Sequence, residues 1–193
     1  MADEELEVDD WIVHQQHGVG QIKEVETKQI GGKEKKYFRV ETKGGIYWLP
    51  TENIPDYVRT VSTEYKFRKV MKLIREHPQP LLKNYKERNR QISEKLENAT
   101  LEVKGGLIRD LYARRHQEGV NLSALNERQL ADLRQQFLRE MSVVLGIEMQ
   151  TAEGRLNKAL TKSIEKLDAE EFTEDMYQNE QFQPPADGTP SSR

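Results

Sequence analysis

Cysteine is absent from the 193-residue chain. That excludes disulfides and zinc–thiolate sites and fits a reducing cytoplasm, where the chain is expected to act. Histidine is scarce, with four in all. His14 and His17 lie three apart, but a third and fourth metal ligand are hard to find. A turn beside a strand accounts for them, and neither metal nor cofactor is expected. No apolar run approaches the roughly 18 residues of a membrane span. The acidic start, Met1 to Glu7, has no apolar stretch, so no secretory signal is expected. Catalytic motifs are missing too. Gly31-Gly32-Lys33 and Gly44-Gly45 lack phosphate-loop spacing, and there is no Gly-x-Ser-x-Gly, no nucleophilic cysteine and no His-Glu-x-x-His. Carboxylates are abundant but nowhere set up as a pair. These absences argue against an enzyme, and no catalytic residue is assigned.

What is present is charge, unevenly laid out. A third of the residues are charged, and the net charge of −3 hides their order. Residues 1–10 hold six acids and no base; 64–116 hold fourteen Lys/Arg against seven Asp/Glu; 168–193 hold seven acids and one base. A basic middle between acidic ends suits a polyanionic partner.

In chain order, residues 1–9 are acidic and read as disordered. Residues 10–62 read as short strands: Asp10–Val13, Gln21–Ile30, Lys36–Glu41, Ile46–Leu49 and Tyr57–Val61. Glycine turns separate them, with Gly44-Gly45 as a primed hairpin turn. Such spacing predicts a small curled antiparallel sheet. Trp11, Tyr37 or Phe38 are the natural candidates for its core aromatics, and its open edge can accept a partner's strand. Helical spacing fills 63–167. Phe67, Val70, Met71 and Ile74 form one face, closed by Pro78 and Pro80. A second helix is expected from about Pro80 to Leu96 on Leu82, Ile92 and Leu96. A third runs from Thr100 to Gln117, with a kink or close contact at Gly105-Gly106. A fourth starts at an Asn126/Gln129 capping box and stops at Gly146, and a fifth is capped by Thr151. The fold class is therefore α+β: a small N-terminal β domain, then a compact all-α domain of about five helices. Residues 168–193 turn Gln/Pro/Gly/Ser-rich and read as a disordered tail.

The stretch His77-Pro78-Gln79-Pro80 and the helix it opens join cations to one aromatic ring. Lys83, Lys86 and Arg90 share a helix face, with Arg88 between them and Tyr85 among them. Two readings stand: a solvated face with Tyr85 in the core, or phosphate contacts with an exposed ring set to stack or wedge at a DNA step. Arg114 and Arg115 end the third helix, where they either serve its dipole or extend the phosphate contacts.

Taken together, several segments resemble the CarD/CdnL family of bacterial transcription regulators over roughly residues 8–167. They are Asp10-Trp11-Ile12-Val13 with His17-Gly18-Val19-Gly20, Glu26-Thr27-Lys28-Gln29-Ile30, Trp48-Leu49-Pro50 with Glu52-Asn53, Pro80 to Arg90, Glu94-Lys95-Leu96, and Leu107-Ile108-Arg109-Asp110-Leu111-Tyr112. The resemblance implies a Tudor-like, SH3-like domain docking by its edge on the RNA polymerase β subunit, with Lys28, Lys36 and Trp48 at the contact. Trp48 stands where some members carry Arg, and its other reading is a sheet-core aromatic. The resemblance also implies a helical domain on promoter DNA at the upstream edge of the melting region. The family's wedge is a tryptophan; here the matching position is Tyr85. Lys86, Arg88, Arg90, Arg114 and Arg115 complete the implied DNA set, while Glu87 stands where a base is common. The implied protein is a monomeric, non-enzymatic factor that stabilises open promoter complexes. The rival reading is an adaptor that binds only proteins.

Overall fold

The computed structural model describes residues 6–97 and 99–180, with side chains as far as Leu167. Five strands, β1 (Trp11–His14), β2 (Gly18–Ile30), β3 (Lys33–Thr42), β4 (Gly45–Pro50) and β5 (Val58–Thr60), precede five helices. The sheet is antiparallel with order β4-β3-β2-β1-β5. A two-residue turn joins β2 to β3. Gly31 and Gly32 have φ of 63° and 76° there, the two positive values of a primed turn that twists with its strands. The primed turn is thus at Gly31-Gly32, not at Gly44-Gly45.

Ile12, Ile22, Phe38, Val40, Leu49 and Val58 form the sheet's core. Trp11 departs from expectation, lying 38% exposed. A β-bulge between Ile22 and Glu24 decides which side chains leave this core. Ile22 faces inward opposite Val40; past the bulge Val25 pairs with Phe38, and Glu24 pairs with Arg39. Strand side chains alternate with a period of two, so one inserted residue moves Glu24, Glu26 and Lys28 to the outer face. The N-terminus joins the domain earlier than its acidity implies. Leu6 packs on the sheet core and the Asp9 amide donates to the Ile22 carbonyl at 2.8 Å. Residues 1–5 lie outside the described residues.

The helices are α1 (Glu64–Ile74), α2 (Tyr85–Glu97), α3 (Leu101–His116), α4 (Ala124–Leu145) and α5 (Met149–Glu180). Thr63, Thr100 and Ser123 cap α1, α3 and α4, each accepting a main-chain N–H in the first turn. Ser123 rather than Asn126 starts α4; Asn126 is fully buried and engaged elsewhere. Gly146, with φ 60° and ψ 36°, ends α4 in the left-handed conformation glycine tolerates. Fully buried Phe67, Val70, Ile74, Ile108, Leu111, Phe137 and Leu156 anchor the helical core. A Cβ on Gly105 would meet Val70 Cγ1 at 2.4 Å, so the glycine permits a close α1–α3 approach. Helix α2 begins at Tyr85 rather than Pro80, which leaves Leu82 44% exposed. Helix α5 begins at Met149, before Thr151, and continues to Glu180, past the expected boundary at 167. Residues 181–193 of the acidic tail lie outside the described residues.

An ion pair to a buried carboxylate ties the two parts together. Glu140 of α4 accepts from Arg59 of β5 at 2.7 and 2.8 Å and from the Ser62 amide at 2.8 Å. Among the described residues, no helix is long and apolar enough to cross a membrane.

Candidate nucleic-acid interface and docking face

The connection from α1 to α2 is irregular because Pro78 and Pro80 cannot continue a helix. Its chain is held instead by charged side chains of its neighbours. Asp110 of α3 accepts from the Gln79 amide at 2.8 Å and from Arg109 Nε at 2.8 Å, and Arg109 reaches the Leu73 carbonyl at 3.2 Å. Asn84 then caps α2, its side-chain oxygen accepting from the Lys86 and Glu87 amides at 2.9 and 3.2 Å. Tyr85 is the first helical residue. It leaves the core at the helix N-terminus with half its surface exposed, which decides against the core reading of this ring.

Lys83, Lys86 and Arg90 are exposed around it. Arg90 lies 3.7 Å from Glu94, an i,i+4 pair with both side chains well exposed, and such pairs hold little energy. The positive end of the helix dipole adds to these cations. This is a surface with one flat ring and exposed positive charges, chemistry that suits phosphates and an unstacked base step.

Arg88 corrects the sequence reading. It is 4% exposed and points inward, donating to Asn126 Oδ1 at 3.1 Å and to the Leu82 and Lys83 carbonyls at 2.8 and 3.0 Å. Its Nε and Nη1 donors are thus taken up by the protein itself. Arg114 is half-buried nearby, and its Nε lies inside without a hydrogen-bond partner. Burial first, then the Arg88 charge, holds the Arg114 guanidinium below its ordinary pKa. Arg115 is half-exposed and lies 3.2 Å from Glu127 at the start of α4. The structure thus gathers Tyr85, Arg88 and Arg114 at one place, with only Tyr85 prominent on the surface.

On the sheet, the outer face created by the bulge carries the second candidate site. Lys28 Nζ sits 3.3 Å from the centroid of the Trp48 ring, and Trp48 Nε1 donates to Glu26 at 2.8 Å. Trp48 is 45% exposed on the edge strand β4, so it is not a core aromatic. Arg39 lies within 4 Å of Glu24, Glu26 and Glu41 beside it. Lys36 pairs with Thr27, whereas Lys28 pairs with Lys35. By strand alternation Lys36 therefore lies on the opposite face, and the structure does not bring it to Lys28 and Trp48.

His14 and His17 close the end of β1 by packing. Their rings pack against each other and against Tyr47 with centroids 4.4 to 5.1 Å apart, and His14 Nδ1 accepts from the Gln16 and His17 amides at 3.0 and 3.3 Å. Sequence reasoning missed the Asn84 cap, the Arg109–Asp110 clamp and the inward course of Arg88. The cap had a signal, an Asn directly before a helical stretch; the other two had none.

Residues 6–62 match the family described as the CarD-like/TRCF RID domain, and residues 69–157 match the CarD C-terminal domain. Among curated proteins, the transcription-repair-coupling factor of Bacillus subtilis (strain 168) is 34% identical over 70 residues, which is 36% of this chain and 6% of that protein.

Proposed function

The chain belongs to the CarD-like family of RNA polymerase-interacting transcription factors, and from that premise we propose a division of labour between its two parts. The sheet docks on the polymerase β subunit through β4 and the Lys28–Trp48 face. The helical domain meets promoter DNA at the upstream edge of the bubble, with Tyr85 at the distorted step and Lys83, Lys86 and Arg90 on phosphates. A protein that holds melting DNA better than closed duplex shifts the population towards the open complex by its difference in affinity.

The observation that carries this reading is the half-exposed Tyr85 at the α2 N-terminus among exposed cations. Unstacking a base step costs on the order of a few kcal/mol, so a ring set here favours DNA that is already opening. Binding to a forked promoter fragment tests it. The reading expects affinity that falls with salt and falls further with Tyr85→Ala, and β-subunit binding that falls with Trp48→Ala. A protein that binds the β subunit but shows no salt-dependent fork binding is the protein-only adaptor.

A further inference from the structure

Arg88 presents a physical problem. A buried guanidinium is costly unless it is paired, and apolar residues of similar volume usually serve stability as well. Its acceptors are the Asn126 side-chain amide oxygen and two main-chain carbonyls. Those carbonyls belong to Leu82 and Lys83, the two residues before the Asn84 cap. One planar side chain thus ties down the segment that delivers Tyr85, and its guanidinium carbon lies 5.8 Å from the Tyr85 ring centroid.

The other end of the tie is fixed as well. Asn126 is fully buried in α4, and its amide donates to Asn89 Oδ1 at 3.0 Å and to Gln129 Oε1 at 2.9 Å. The network therefore runs from α4 through Arg88 to the carbonyls at 82 and 83. A lysine in this position carries the charge but lacks the planar fork that reaches several acceptors at once.

We propose that Arg88 is a positioning residue for DNA engagement. It touches no DNA itself, but holds Leu82 and Lys83 so that the Tyr85 ring leaves the surface at a fixed attitude. This rests on the Tyr85 reading above and deepens it. The immobilisation is made on folding rather than on binding, so the ring's ordering cost is already met when DNA arrives.

The test measures binding to a forked promoter fragment by fluorescence anisotropy over a series of salt concentrations. It uses the full chain as wild type, Arg88→Met, Arg88→Lys, Tyr85→Ala and the Arg88→Met/Tyr85→Ala double variant. Circular dichroism confirms that each is folded. Arg88→Met is expected to weaken binding about tenfold, within the range over which residues sharing one network couple. Its salt slope should stay that of wild type. On the Tyr85→Ala background the same change should do almost nothing. Arg88→Lys, which keeps the charge and is the gentler change if Arg88→Met does not fold, should also weaken binding at an unchanged salt slope.

Three results overturn the proposal. A salt slope shallower by about 0.9 in Arg88→Met means a lost phosphate contact. Wild-type affinity in Arg88→Lys means that charge, not the fork, matters. A loss undiminished on the Tyr85→Ala background means that Arg88 acts independently of the ring. If Tyr85→Ala alone leaves fork binding intact, the parent reading fails and takes this inference with it; if it weakens binding while the Arg88 effect is additive, only this inference fails.

Discussion

Replacing Arg59 with Ala should destabilise the protein strongly at neutral pH and much less in acid. Glu140 is 3% exposed in its side chain and is satisfied by two guanidinium N–H groups and one main-chain amide. Burial by itself pushes its carboxyl up, but the Arg59 hydrogen bonds and charge and the Ser62 amide outweigh this and hold it below its ordinary 4.5. Removing Arg59 strands that carboxylate. Breaking one side of a buried pair costs about 3–5 kcal/mol. The Arg59 side chain is 38% exposed, so water can enter and the low end, about 3 kcal/mol, is expected. For a chain of this size that lowers Tm by about 6–12 °C. The pair also joins β5 to α4, so the two domains should melt less cooperatively. Replacing both partners, Arg59→Met with Glu140→Leu, should be nearly neutral, because the desolvation cost leaves with the pair. The sign with pH is set by the lowered folded-state pKa. The pair's contribution is complete above about pH 4.5 and is lost as pH falls through the lower folded value. Urea melts at neutral and acidic pH measure this. Equal costs for Arg59→Ala at both, or a double variant as unstable as the sum of the singles, would refute the reasoning.

The same geometry sets further outcomes. Gly105→Ala forces a methyl to 2.4 Å from Val70 Cγ1; overpacking of about 1–3 kcal/mol should outweigh the helix-propensity gain of about 1, and Val70→Ala in the same chain should recover part of the loss in a denaturant melt. Trp48→Ala should weaken binding to a β-subunit fragment by about 30-fold or more, as buried interface aromatics do, whereas Lys36→Ala on the opposite face should change it less than about twofold by surface plasmon resonance. Burial and the neighbouring His17 hold the His14 imidazole below its ordinary 6.5. The unfolded chain therefore takes up that proton first, so stability should be full above pH 6.5 and fall as pH drops through the folded value. An NMR titration midpoint for His14 at or above 6.5 would contradict this.

The legible and illegible parts of the molecule divide by physics. The face of α1 was visible because Phe67, Val70, Met71 and Ile74 repeat at helical spacing and all four are buried. The Gly146 stop was visible because one backbone conformation selects glycine. The bulge after Ile22 was not, and it alone sends Lys28 outward to Trp48. Helix starts slipped where several capping residues compete: Ser123 and Asn126 both have the chemistry, and tertiary burial assigns Asn126 to Arg88 instead. Arg88 looked like its neighbours Lys86 and Arg90 because a charged residue's burial depends on acceptors supplied from far along the chain. The exposed ring and cations of the candidate site were therefore readable as a cluster, while the residue beneath them was not.

The most direct test of the central claim is the lifetime of an open promoter complex formed by bacterial RNA polymerase alone, with this protein, and with Tyr85→Ala. The account predicts a longer lifetime with the protein and a return towards the factor-free value with Tyr85→Ala, at unchanged polymerase binding. A lifetime that the bound protein leaves unchanged would contradict the account, and an extension that Tyr85→Ala leaves intact would remove the ring from the mechanism.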